Sequence, residues 1–295
     1  MTGALHETAP AKVNVCLFLG PVRAADGRHE LVTVFQPVTL ADRVALEPAP
    51  LGARADEVIC PGVEGDNLAA AALRAFRART GWSRPPVRLR IDKAIPVAAG
   101  MGGGSADAGA ALRLAARAAG VEDTALLHDI AAGLGADVPG QVRPARYLAT
   151  GAGERLRALP DPPAYGVLVV PAAEGLSTAA VYRKADEMGL PRPQAELAER
   201  LDTVKSHADG LPADLVVNDL EPAARALCPA IDEALAATER AGALRALVCG
   251  SGPTVIGLFA DADAARGAAV ALSGRHPRPI AVEPWRVPVA GAVAP

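Results

Sequence analysis

The stretch Pro96–Ala106, PVAAGMGGGSA, holds four glycines, Gly100, Gly102, Gly103 and Gly104, followed by Ser105. Glycines let backbone N–H groups close on an anion, because no Cβ stands in the way. The chain then enters DAGAALRLAARAAG, an Ala/Leu-rich run without proline that reads as a helix with Leu112 and Leu114 on its buried side. A glycine loop opening a helix presents free N–H groups and the positive end of the helix dipole, which favours phosphate. The Ser105 hydroxyl adds a hydrogen bond to a phosphate or a ligand for Mg²⁺. The loop is not a P-loop, since no Gly-Lys-Ser/Thr follows at the required spacing, and it does not match the dinucleotide fingerprint. Three further features are candidates for chemistry: Lys12 at the mouth of the apolar run Val13–Leu19, Asp137 in the turn Gly135–Pro139 (GADVP), and a second glycine cluster, Gly250–Thr254 (GSGPT). Taken singly, each has a dull explanation: a solvated lysine, a turn-forming aspartate, a tight hairpin, and a glycine turn that lets a helix pack closely.

The elements that must position these residues are legible from pattern. Val13–Leu19 (VNVCLFL) and Glu30–Leu40 read as strands joined through the turn Ala25-Asp26-Gly27, with Pro37 marking a bulge or an edge. Val44–Leu46 and Val58–Cys60 read as short strands. Asn67–Thr80 is a helix capped by Asp66 or Asn67 and ended by Gly81. Val87–Ile91 is a strand leading to the glycine loop. Asp123–Leu134 is a helix capped by Asp123, and Tyr147–Thr150 a strand. A Pro-rich segment puts the domain boundary near Leu156–Pro163, giving units 1–158 and 159–295. The second unit carries helices at Ser177–Glu187, Pro222–Arg240 and Asp261–Leu272, a polar stretch at Leu190–Leu211, and strands from Tyr165, at Leu244–Cys249, at Val255–Phe259 and near Pro279–Glu283. That order predicts an α+β sandwich.

Bulk properties narrow the class. The 295 residues are 51% hydrophobic and 21% charged, as in a packed domain rather than a disordered chain. The net charge is −3 and no basic stripe is interleaved with aromatics, so no nucleic-acid partner is expected. No apolar run reaches membrane-spanning length, and the opening residues lack the layout of a signal peptide; a cytoplasmic protein without a membrane partner is expected. Cys16, Cys60, Cys228 and Cys249 lack metal-ligand spacing and read as buried, reduced thiols.

Three ordered segments together resemble the GHMP kinases, ATP-dependent kinases of small molecules: AKVNVCLFL near the start, IPVAAGMGGGSADAGAAL in the middle and GALRALVCGSGPTVIGLF near the end. The resemblance runs through nearly the whole chain. It implies a two-domain α+β fold, an N-terminal ribosomal-protein-S5-like α/β domain and a C-terminal ferredoxin-like α/β sandwich. DGRHEL (Asp26–Leu31), GDNLAAAA (Gly65–Ala72), GADVP and GLSTAAVY (Gly175–Tyr182) resemble the branch of that family whose acceptor carries a cytidine diphosphate. The reaction so implied moves a phosphoryl group from ATP to the tertiary 2-hydroxyl of a cytidine-diphosphate-linked methylerythritol, a step toward isoprenoid precursors. Asp137 would act as the general base with Lys12 beside it to stabilise developing charge. Pro96, Val97, Ala98, Ala99, Gly100, Met101, Gly102, Gly103, Gly104, Ser105 and Ala106 would hold the nucleotide phosphates, with Asn67 and Asp107 also on the nucleotide and Ser105 on Mg²⁺. His29 would read the cytosine edge and Tyr182 would stack on the ring. Asn14, Lys93 and Thr178 would complete the substrate pocket, and Gly250–Thr254 would close it. The resemblance leaves a monomer or a homodimer open.

Two departures bear on the acceptor. Arg28 precedes the histidine where the family has an aromatic residue; a guanidinium can also stack on a pyrimidine. The segment Gly140–Arg146 lacks the family's glycine turn in register, and the pattern resumes at Gly153-Glu154. A divergent relative with a modified substrate, or a family member acting on homoserine, mevalonate or a sugar, is the alternative within this class. A non-catalytic nucleotide-binding protein on the same fold is the alternative outside it, and the retention of both Lys12 and Asp137 argues against it.

Overall fold

The structure, a computed structural model, describes residues 3–97, 99–274 and 277–286. Two long strands, β1 (Leu5–Val22) and β2 (His29–Pro48), form an antiparallel hairpin across the turn that contains Asp26 and Gly27. From Ala9 to Gly20 every residue of β1 is buried, which is why its run reads as continuously apolar rather than alternating. Beyond lie β3 (Glu57–Ile59), α1 (Leu68–Thr80), β4 (Val87–Asp92), α2 (Gly103–Ala119), α3 (Thr124–Ala132), α4 (Pro139–Val142), β5 (Tyr147–Gly151) and β6 (Arg155–Ala158). The first sheet runs β3-β4-β2-β5-β6, with β1 also paired to β2. Val44–Leu46 is the far end of β2 rather than a separate strand, because β4 continues the ladder from Arg43 to Pro48.

Pro37 lies inside β2, where the register with β1 slips between Pro10↔Ala41 and Lys12↔Pro37. On the other side of β2, β5 pairs through Phe35 and β4 begins at Arg43. Backbone from near the end of the chain enters this interval: Trp285 N–H donates to the Pro37 carbonyl at 2.7 Å and Thr39 N–H to that of Glu283 at 2.9 Å. A residue without an N–H thus sits where only its carbonyl is needed.

The second sheet runs β10-β7-β9-β8, from β7 (Gly166–Val170), β8 (Arg245–Val248), β9 (Val255–Phe259) and β10 (Ile280–Val282). All its pairings are antiparallel, and its order is that of a split β-α-β unit. Its helices are α5 (Thr178–Glu187), α6 (Gln194–Ser206), α7 (Glu221–Leu227), α8 (Ala230–Arg240) and α9 (Ala262–Leu272). The stretch Leu190–Leu211 therefore contains a helix that composition concealed, and the helix expected over Pro222–Arg240 is two, broken at Cys228-Pro229. β6 also was not expected. The caps follow pattern: Asn67 accepts from Ala69 N–H, Asp123 from Leu126 N–H, and Gly81 ends α1 in the left-handed region. All four cysteines are free, but only Cys16 and Cys249 are buried; Cys60 and Cys228 are half-exposed.

The halves are tied along the outer edge of β1. Leu17 N–H donates to the Val217 carbonyl, Asp219 N–H to the Leu17 carbonyl, and Leu19 N–H to the Asp219 carboxylate. The central helix α2 is buried along eleven of its positions, mostly alanines, so the sheet and its neighbouring helices approach closely. The tightest approach is at Gly109, where a Cβ would stand 2.6 Å from the Gln141 carbonyl carbon of α4. Gly109→Ala must displace α4, and overpacking of this kind costs about 1–3 kcal/mol. Urea unfolding should show that loss; an unchanged midpoint would mean that α4 is loosely held.

Candidate active site

Lys12 and Asp137 meet. Lys12 Nζ lies 3.4 Å from Asp137 Oδ2, with the lysine side chain 9% and the aspartate side chain 34% exposed. The ammonium is held from behind: it donates to Asn14 Oδ1 at 2.8 Å and stands 4.7 Å from the centre of the Phe35 ring. Asn14 Nδ2 in turn donates to Thr33 Oγ1, which donates to the Cys16 carbonyl. Asn14 thus lines the cleft, yet its amide is spent on fixing Lys12. Asp137 is placed by its connection to α4. Arg113 of α2 donates to the Gln141 carbonyl at 2.5 Å and to the Thr8 carbonyl at 2.7 Å, and pairs with Glu7. One arginine therefore holds both the helix behind Asp137 and the strand that carries Lys12.

The glycine loop meets this pair directly. Lys12 N–H donates to the Met101 carbonyl at 3.0 Å. Gly102 caps α2 at φ +69°, and a Cβ there would lie 3.3 Å from the Lys12 side chain and 3.8 Å from Asp137 Oδ2. A Cβ on Gly100 would meet the Cys249 and Gly252 carbonyls at 2.9 and 3.0 Å, so the two glycine clusters touch backbone to backbone. Asn218, buried at the junction, donates to the Val248 and Gly250 carbonyls and holds the second cluster.

The loop is also the wall between two cavities. A cleft of about 900 Å³ is lined by Lys12, Asn14, Gly100, Gly102, Ser105 and Asp137 on one side and by Arg28, His29, Thr178, Tyr182, Gly250 and Ser251 on the other. A smaller cavity of about 290 Å³ is lined by Asn67, Lys93, Pro96, Val97, Ala99, Gly100, Met101, Gly102, Gly103, Gly104 and Asp107. Ala106 is buried in the helix and faces neither, and Ala98 lies outside the described residues. Lys93, expected with the acceptor, stands instead in the smaller cavity: it donates to Asp42 at 2.5 Å and to Asp107 at 2.8 Å. The physical reason is the depth of Asp42. It is wholly buried, and its other oxygen accepts from Ala94 and Ile95 N–H; this draws Lys93 inward and fixes the approach to the loop.

One cation serves two buried carboxylates here. Lys93 is held above the usual lysine range: burial opposes its charge, but Asp107 and Asp42 outweigh burial. Asp107 receives less. Burial pushes its carboxyl up to about 7, only partly offset by Lys93, and its Oδ1 has no hydrogen-bond partner.

On the cleft's other side, His29 Nδ1 lies 2.9 Å from the Gly20 carbonyl, and the His29 and Tyr182 rings are 5.5 Å apart at a 38° tilt. Burial, and secondarily the Asp137 carboxylate, pushes the Tyr182 hydroxyl up to about 12, so it stays neutral. Thr178 Oγ1 lies 3.0 Å from Ser251 Oγ, which joins α5 to the second glycine cluster. Thr178, Tyr182 and Asp186 are four residues apart and share one face of α5. Sequence reasoning missed Asp42, Gly109, Arg113, Asp186 and Asn218. A lone charge inside a strand such as Asp42 was the available signal for the first, and the i, i+4, i+8 spacing for Asp186.

A glycine loop opening a helix beside an ion-paired carboxylate, between two cavities, fits a small-molecule phosphotransferase. Family comparison agrees. Residues 67–143 match the GHMP kinases N terminal domain and residues 194–277 the GHMP kinases C terminal model. The chain is 43% identical to the 4-diphosphocytidyl-2-C-methyl-D-erythritol kinase of Anaeromyxobacter dehalogenans (strain 2CP-C), covering 96% of this chain and 95% of that one. It is 45% identical to the enzyme of that name from Streptomyces coelicolor, over 87% and 88% of the two chains. The crystal structure of a 4-(cytidine 5'-diphospho)-2C-methyl-D-erythritol kinase superposes with a TM-score of 0.75 at 32% identity, covering 95% of this chain and 98% of that one. The L. major mevalonate kinase, at 15% identity over 96% of each chain and a TM-score of 0.70, shares the fold. The chain belongs to the GHMP kinases, and it is an ATP-dependent kinase of a small molecule.

The Asp107 carboxyl gives a test of the loop's electrostatics. Its folded-state value lies above its unfolded one, so its contribution to stability is complete below about pH 4 and is lost as pH rises toward 7. Asp107→Asn removes the titrating group, so its melting temperature should fall less than the wild type's between pH 5 and 8, by several degrees. Parallel slopes in the two proteins would remove Asp107 as the source.

Proposed function

We propose that this kinase phosphorylates the 2-hydroxyl of 4-diphosphocytidyl-2-C-methyl-D-erythritol, with the acceptor in the larger cleft and the nucleotide in the smaller cavity. The observation that carries the reading is the position of the Lys12–Asp137 pair, at the glycine wall shared by the two cavities. An acceptor hydroxyl in the cleft and a terminal phosphate on the loop would meet there. The named relatives, 39–45% identical over most of their length, support this acceptor.

Asp137 accepts or orients the hydroxyl proton, which sharpens the nucleophile as the bond to phosphorus forms. Lys12, held rigid by Asn14 and Phe35, places a fixed positive charge beside the transferring group and needs little reorganisation to do so. Loop N–H groups and the start of α2 take the phosphate charge. Asn67 and Asp107 belong to the nucleotide side; Arg28, His29, Tyr182 and Thr178 belong to the acceptor side. Mg²⁺ is part of the same reading. Ser105 lines the cleft with the loop glycines Gly100 and Gly102, and a single hydroxyl suits an ion whose other ligands are phosphate oxygens and water. When bound, the ion would neutralise phosphate charge, with Ser105 as its protein ligand.

Support for domains at 1–158 and 159–295 comes from the sheets, one formed by strands up to Ala158 and the other by strands from Gly166. No helix among the described residues is long and apolar enough to cross a membrane, and a charged, water-soluble substrate fits a cytoplasmic enzyme.

Asp137→Asn should lower kcat by about 10²–10⁴-fold, the usual worth of a general base, while an ATP analogue still binds in calorimetry. Retained turnover would take Asp137 out of the mechanism. His29→Ala should raise KM for the cytidyl acceptor by at least about tenfold, equivalent to the loss of one buried hydrogen bond, and leave KM for ATP within about twofold. A coupled ADP-release assay across the cytidyl compound, homoserine, mevalonate and sugars decides the acceptor: brisk turnover of another alcohol alone would displace this reading.

A further inference from the structure

A third cavity, a groove of about 820 Å³, shares no lining residue with the larger cleft or the smaller cavity. Its floor is the outer face of the sheet where β1, β2 and β4 run side by side. Register puts Ala45 between His6 and Arg90, and Arg43 between Thr8 and Asp92. Val44 and Leu46, the neighbours of Ala45, are buried on the opposite face. The small Ala45 side chain leaves a depression, and His6, Arg43 and Arg90 stand around it. Arg43 and Arg90 are diagonal neighbours on adjacent strands, close enough for two long side chains to grip one ligand group. Arg143, just after α4, and Trp285 add to the lining. Both are fixed through their backbones: the Arg143 carbonyl accepts from the Tyr147 hydroxyl at 2.8 Å, and Trp285 N–H donates to the Pro37 carbonyl at 2.7 Å.

Charge in this groove is lopsided. Among the described residues, Arg43, Arg90 and Arg143 have no carboxylate within 4 Å. Of the carboxylates in the lining, Glu7 is spent on Arg113 and Arg117, and Glu47 stands 3.9 Å from Arg88; Asp92 alone is uncommitted. Three uncommitted guanidiniums against one carboxylate, on a chain of net charge −3, draw an anion to this face. A guanidinium presents its donors as a fork that fits two phosphate oxygens. The indole adds a flat apolar platform, and the volume is that of a small-molecule pocket. We propose that the groove is a second binding site, for an organic phosphate, with the phosphate on Arg43, Arg90 and Arg143 and the organic part against the Trp285 ring. The proposal goes beyond the kinase reading and holds whichever alcohol is phosphorylated. Arg113, which lines the groove, also holds the Thr8 and Gln141 carbonyls, so the groove adjoins the supports of the Lys12–Asp137 pair.

The chain has two tryptophans, Trp82 and Trp285. Trp82 is buried edge-on to Phe76 and its Nε1 has no partner, so Trp82→Phe in the full chain leaves Trp285 as the reporter. Phenyl phosphate, titrated at constant ionic strength, should change the Trp285 fluorescence saturably. Inorganic phosphate should bind about two- to tenfold more weakly, the worth of one aromatic contact. Arg43→Gln and Arg90→Gln should each loosen phenyl phosphate about tenfold or more, as loss of a hydrogen bond to a charged group does, and should keep kinase turnover. Asp92→Asn removes the opposing carboxylate and should tighten binding about two- to fivefold, a gain that no structural defect would give. The groove is overturned as a site if the reporter shows no saturation, or if its response survives in both arginine variants, which would trace it to the glycine loop. An Asp92→Asn chain that binds no more tightly overturns the electrostatic account. Equal affinity for the two phosphates overturns the assignment to an organic phosphate.

Discussion

The arrangement depends on backbone meeting backbone where side chains are missing. Gly100 lies against the carbonyls of Cys249 and Gly252, and Gly102 lies against the stem of Lys12. Gly100 and Gly102 both have positive φ, so the chain needs glycine there for conformation as well as for room. The loop can then act at once as the end of α2, as the wall between two cavities and as the surface on which Lys12 rests. A Cβ at Gly102 would push into the lysine that faces Asp137; the glycine loop and the Lys12–Asp137 pair are one packing unit.

Around that unit, charge is buried in quantity and only partly neutralised. Lys93 cannot satisfy Asp42 and Asp107 equally, because Asp42 also takes two backbone N–H groups while Asp107 keeps an unpartnered oxygen. The cost falls on Asp107, in the second turn of α2. Lys12 is treated differently: its neighbours are a carboxylate, an amide oxygen and an aromatic face, all of which favour a fixed cation. The site thus holds one ammonium in a rigid setting beside Asp137 and another clamped between two buried carboxylates beside the loop.

Much of this was legible in the sequence, and the limits have physical causes. The glycine loop, the helix behind it and the caps at Asn67 and Asp123 follow from local backbone demands, which a short window of residues displays. The helix α6 did not show, because its face toward the first sheet is narrow: Leu197 and Val204 are its buried residues amid charges. That Lys93 stands in the smaller cavity did not show, because its partner Asp42 is 51 residues away and nothing local reveals a wholly buried carboxylate. Arg113 and Gly109 looked like ordinary helix positions; their meaning lies in the α4 backbone that they hold and admit. Residues that obey local rules were readable, and residues that act across the fold were not.

The two sides of the cleft are built on different parts of the chain. Lys12, the glycine loop and Asp137 all belong to the elements around the first sheet, locked together by α2. Thr178, Tyr182 and Asp186 stand on one face of α5, a half-exposed helix that meets the site through the Thr178–Ser251 contact and through His29. Substitution along that face changes the cleft wall without passing through the packing that sets Lys12 against Asp137. The irregularities of this chain, Arg28 and the segment Gly140–Arg146, fall in two different places: Arg28 lines the cleft together with His29 and Tyr182, whereas Gln141 within the segment is gripped by Arg113 behind Asp137.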